Sequence, residues 1–193
     1  MREKSRGCNC RCPCLDEAFA LWHPAMRQHR AILLIGIAIA VLMPVAAQAR
    51  DVLGVFQRWG AFRDMAQRRC FAIAQPLAGG WDKSPWKPFA SIGYWPRAGV
   101  RGQISLRLSH ALADGTKARL AIGERRFDLL GGGADVWSAD QRMDAAIVAA
   151  MRSGGRMSVS GRAKAGGVFT DRYDLRGAAT AIDAAALGCA RLK

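Results

Sequence analysis

A charged start, an apolar run and a small-x-small site follow one another within residues 26–49. Met26-Arg27-Gln28-His29-Arg30 is basic, Ala31 to Met43 is apolar, Pro44 breaks the run, and Ala47-Gln48-Ala49 ends it. This order predicts a signal-peptide helix that is cleaved after Ala49. What folds is then the single exported segment 50–193, periplasmic or secreted, in an oxidising compartment. The apolar run is short for a membrane-spanning helix, which needs about 20 residues. An uncleaved N-terminal anchor is the alternative. No cysteine follows the run, so nothing supports a lipoprotein anchor.

Residues 1–25 hold Cys8, Cys10, Cys12 and Cys14. Structural zinc sites space paired ligands by two to four residues and add a second pair downstream. Here the spacing is one residue, Pro13 interrupts the series, and no second cluster follows. The expectation is an upstream segment that is non-native or disordered, with translation starting at Met26.

Residues 50–193 carry 23 Lys and Arg against 12 Asp and Glu, and 18 of the 23 are arginine. Such a surplus attracts anionic partners: lipid headgroups, lipopolysaccharide, acidic glycans. The arginines are scattered along the sequence, which predicts weak, diffuse attraction. Export, and the lack of any recognition helix or basic-aromatic array, argue against nucleic acid.

Two cysteines remain in this segment, Cys70 and Cys189. An even count in an exported chain favours a disulfide. Two buried free thiols are the alternative.

Strand signals dominate. Val52–Arg63 reads as one strand bent at Gly60, Arg69–Gln75 as a second stopped by Pro76, and Phe89–Trp95 as a third between Pro88 and Pro96. In Gln103–His110 apolar Ile104, Leu106 and Leu108 alternate with polar neighbours. Asp114-Gly115 signals a hairpin into Lys117–Ile122, and Gly123-Glu124 turns into Arg126–Leu130. Gly131–Gly133 reads as a loop. Ser138 with Gln141 has capping-box spacing for a helix over 139–152, whose stripe is Met143, Ile147, Ala150 and Met151. Arg156–Gly161 and Val168–Leu175 form a last hairpin. Gly177–Leu187 is a helix that turns Cys189 to the core and stops at Gly188. The expected fold is mainly β: an antiparallel sheet or β-sandwich of seven or eight strands, with one helix before the last hairpin and one at the C-terminus.

These residues resemble the invasion-associated locus B family of exported bacterial proteins. Residues 143–189 look like that family's ending, with Tyr173, Leu175, Gly177 and Ala181 as its aromatic-x-Leu-x-Gly-x-x-x-Ala element. Phe56, Trp59 and Cys70-Phe71-Ala72-Ile73-Ala74-Gln75 resemble its opening. The family commonly has a cysteine four residues after that tryptophan, where this chain has Arg63. The resemblance thus leaves Cys189 as the partner for Cys70. It implies a β-rich periplasmic or surface protein without established catalysis.

Chemistry is sparse. His110 is the one histidine of this segment, and its neighbour Ser109 is expected to point to the opposite strand face, which precludes a nucleophile–base pair. There is no G-x-S-x-G elbow, C-x-x-C or calcium-loop pattern. No catalytic residue, cofactor or metal is expected. Trp81, Trp86, Tyr94 and Trp95, with Lys83, Lys87 and Arg97, form the candidate binding surface, because aromatics beside cations suit glycans, headgroups or a protein partner. The expected function is a non-enzymatic envelope or surface protein that binds or supports an anionic component. A hydrolase using Asp171 or Asp174, and a purely structural envelope factor, are the alternatives.

Overall fold

A computed structural model describes Arg50–Leu77, Ser84–Ala190 and Leu192. The expectations for residues 1–49 fall outside the described residues. Two antiparallel sheets and two helices form the fold. The first sheet has seven strands in the order β1 (Asp51–Phe56), β2 (Trp59–Asp64), β3 (Arg69–Ala74), β4 (Phe89–Trp95), β5 (Val100–Arg107), β9 (Asp135–Trp137) and β8 (Leu130–Gly132). The second has β11 (Val168–Asp174), β10 (Arg156–Arg162), β6 (Arg119–Ile122) and β7 (Arg125–Asp128). Helices α1 (Gln141–Ser153) and α2 (Ala178–Ala190) complete it. The mainly β, sandwich-like fold with one helix before the last hairpin and one at the C-terminus agrees with the sequence.

Four local expectations are corrected. The first strand is two: the chain reverses at Gln57-Arg58, where Gln57 takes φ 57°. Gly131–Gly133 is no plain loop, since Leu130–Gly132 pairs with Asp135–Trp137. Asp114-Gly115 does turn, but β6 pairs with β10 and β7 and never with β5. That turn carries the chain from one sheet to the other. Finally, Asp140 and not Ser138 caps α1, accepting the Met143 amide at 2.7 Å.

Ser138 has another role. Its hydroxyl donates to buried Asp144, whose carboxylate also accepts the β5 amide of Ile104 at 2.8 Å. A buried carboxylate needs such donors to offset lost hydration. Together they fix α1 against β5 of the first sheet.

One face of the first sheet is built for burial. Trp59, Ala61, Cys70, Ala72, Ile92, Ile104 and Leu106 are fully or almost fully enclosed. Helix α2 lies over β1 to β4, and its Ala178, Ala181, Ile182, Ala185 and Cys189 are buried. Small residues on the helix allow this close approach. Gly188 continues the helix instead of ending it, because a Cβ there would meet Leu53 of β1 at 2.4 Å. Gly177 precedes the helix at φ 85°, and a Cβ there would lie 2.1 Å from the Phe56 carbonyl oxygen. Only glycine meets both demands.

Cys70 on β3 and Cys189 on α2 form a disulfide with Cα atoms 5.6 Å apart and a sequence separation of 119. The second sheet turns Leu120, Ile122, Met157, Val159, Phe169 and Tyr173 into the same core. Among the described residues no helix is long and apolar enough to cross a membrane.

Candidate functional site

The predicted aromatic surface divides among three places. Trp81 and Lys83 lie outside the described residues. Trp86 is half-buried three residues before β4, its indole N–H donating to the Leu108 carbonyl at 2.7 Å, and Lys87 beside it is exposed. Tyr94 and Trp95 sit at the other end of β4 on opposite sheet faces. The Trp95 ring covers Gly93, with the Arg69 guanidinium 5.9 Å from its centroid. Tyr94 faces α2 and, with Arg97, Val100, Arg101, Ala186 and Cys189, lines a cavity of about 580 Å³. Burial raises the Tyr94 pKa, partly offset by the Arg152 charge. Of the described members of the predicted set, Tyr94 and Arg97 share a cavity.

His110 and Ser109 overturn the expectation that they point apart. Strand β5 ends at Arg107, so both lie in the bend beyond it, free of strand alternation. Ser109 Oγ is 2.8 Å from His110 Nδ1. Ser109 is buried, and its amide donates to Asp171 at 2.8 Å. An activated serine needs the imidazole to take its proton while a carboxylate holds the imidazole's far nitrogen. Here the serine stands between carboxylate and imidazole, so the order of the three groups differs. The His110 ring stacks on Phe169 at 5.2 Å.

Asp171 and Asp174, the candidate acids, do not converge. Three residues apart on β11, they point to opposite faces of the second sheet. Asp171 points inward and its pKa is raised by burial, against the opposing effect of the Ser109 hydrogen bonds. Asp174 faces outward, where hydrogen bonds from Arg176 lower its pKa to about 2.

The raised Asp171 pKa has a testable sign. Between its unfolded and folded pKa values the native state binds more protons than the unfolded one, so this group's contribution to stability declines as pH rises through that window. Asp171→Asn, which keeps an oxygen for the Ser109 amide, removes the decline. Urea unfolding at pH 4 and pH 7 should show the variant gaining on the wild type at pH 7. An unchanged difference between the two pH values would refute this.

The site with most chemical character was not anticipated. On the outward face of the second sheet, register places Arg126, Ala121, Ser158 and Arg172 side by side on β7, β6, β10 and β11. Small Ala121 and Ser158 make a floor between two arginines. Arg156, Arg58 from the β1–β2 turn, and Arg176 complete a cleft of about 850 Å³. Asp174 is its one carboxylate among the described residues, and Arg176 holds it through contacts of 2.6 and 2.9 Å. The Arg126 guanidinium is oriented by the carbonyls of Gly123 at 2.7 Å and Arg125 at 3.0 Å. No carboxylate among the described residues forms an ion pair with Arg58, Arg126, Arg156 or Arg172.

This corrects the expectation of merely diffuse charge: separate segments bring five arginines together. One signal was present in the sequence. Inward Met157 and Val159 imply outward Arg156 and Ser158, but nothing local says which strand lies beside them.

Among the described residues no group of three or more His, Cys, Asp or Glu is placed to hold a metal ion. No family model, no curated protein and no solved structure matches the chain.

Proposed function

We propose that the chain is an exported, non-enzymatic envelope or surface protein of the invasion-associated locus B type, which binds an anionic envelope or host component. The arginine cleft carries this reading: among the described residues, five guanidinium groups share one carboxylate over a floor of small residues. Arginine suits the role because its planar fork meets oxyanions with two parallel hydrogen bonds and never loses its charge. The disulfide fits an oxidising compartment, and the residue pattern of 26–49 supplies the route there.

The test uses the full chain, exported by its host and purified, on an immobilised sulfated or phosphorylated polyanion. Retention should fall steeply with salt. Arg126→Ser with Arg156→Ser and Arg172→Ser should weaken binding by about 10-fold per lost contact. A control replaces three exposed arginines outside the cleft, Arg68, Arg142 and Arg162, and removes the same charge. Equal weakening in the control, or no retention at low salt, would overturn the proposal.

A further inference from the structure

We infer that the cleft on the second sheet takes a compact ligand bearing two phosphate monoesters, one at the Arg126 wall and one at the Arg172 wall; this rests on the anion-binding reading and names its ligand class. Three observations lead here. The first is charge. Among the described residues, five arginines less one aspartate leave four positive charges in the cleft. A phosphate monoester carries about −1.5 to −2 at neutral pH, so two of them match that charge. Carboxylates or sulfates would require about four separate groups in the same space.

The second is shape. Arg126 and Arg172 stand three strand positions apart, with Ala121 and Ser158 between them. Strands are spaced about 4.8 Å, so their Cα atoms are about 14 Å apart. Arginines on either side of a floor of small residues suit a ligand whose charges sit at its two ends. The volume, about 850 Å³, is that of a site for a body of one or two sugar rings rather than a polymer.

The third is preorganisation. Arg126 is held by two backbone carbonyls and Arg176 by Asp174, so opposite sides of the cleft each present an oriented guanidinium before any ligand arrives. Fixing donors in advance lowers the entropy cost of binding.

Titration calorimetry with a hexose 1,6-bisphosphate, the corresponding 6-phosphate and a hexose bis-sulfate tests the ligand class. Flotation with vesicles containing diphosphoryl or monophosphoryl lipid A tests its source. The bisphosphate should bind at least about 10-fold more tightly than the monophosphate or the bis-sulfate. Arg126→Ser and Arg172→Ser, both exposed, should each abolish that preference while leaving the melting temperature unchanged. Preference in solution alone identifies a free bisphosphate, preference on vesicles alone a lipid-borne one, and preference in both a headgroup that suffices by itself. Equal binding of mono- and bisphosphate in both formats, or a preference that survives both substitutions, overturns the inference. Salt-sensitive binding to the polyanion column without any preference would leave the anion-binding reading standing and sink only the two-phosphate ligand. Failure on the column as well would sink both.

Discussion

Replacing Cys70 and Cys189 together with alanine should lower stability by about 4–5 kcal/mol and the melting temperature by roughly 15 °C. The bridge joins residues 119 positions apart, so most of its effect is on the unfolded chain, which it deprives of a large share of its conformations. Both cysteines are enclosed, at 0% and 2% exposure, so alanine leaves small cavities that add to the loss. Reductant should shift the wild type towards the double variant and leave the double variant unmoved. Calorimetry with and without reductant checks both statements. A loss below about 1 kcal/mol would mean that β3 and α2 hold together without the bridge.

Trp59→Ala should cost about 3–5 kcal/mol. Trp59 is wholly enclosed on β2, and its indole N–H donates to the Asp174 carbonyl at 2.8 Å, 115 residues away on the second sheet. It therefore fills the core and pins one sheet to the other. The two roles separate by substitution. Trp59→Phe keeps most of the apolar surface but leaves the Asp174 carbonyl without its donor, for a loss of about 1–3 kcal/mol. Urea unfolding of the two variants gives the comparison, and a Trp59→Phe loss near zero would show that the hydrogen bond contributes nothing beyond packing.

What the sequence made legible follows from locality. Pro88 and Pro96 bracket β4 because proline cannot join a ladder, and the strand between them runs over Phe89–Trp95 as expected. The α2 stripe of Ala178, Ile182, Ala185 and Cys189 is fully buried, since helical periodicity needs no knowledge of the partner. Where pairing decides, the sequence misleads. Gln57 takes a left-handed conformation without the glycine or asparagine that usually marks one, so β1 and β2 read as one strand. Asp114-Gly115 has hairpin chemistry, but the strands it joins belong to different sheets. The arginine cleft was illegible for the same reason. Arg58, Arg126 and Arg172 lie in segments that mean nothing together until β6, β7, β10 and β11 align. Ser109 and His110 were misread because strand alternation was extended past Arg107, the end of β5, as far as His110.

The position of the disulfide also governs how the molecule answers a mechanical load. Cys189 sits at the last turn of α2 and Cys70 at the second position of β3, so the covalent path from Arg50 to Leu192 runs through the sulfur atoms. Tension along that path can draw out the β1–β2 hairpin and the few residues after Cys189, and nothing between the two cysteines. The arginine cleft gathers nearly all its walls from that shielded loop, with only Arg58 outside it. A molecule tugged between two anchored surfaces would keep most of its grip while its first hairpin peeled away.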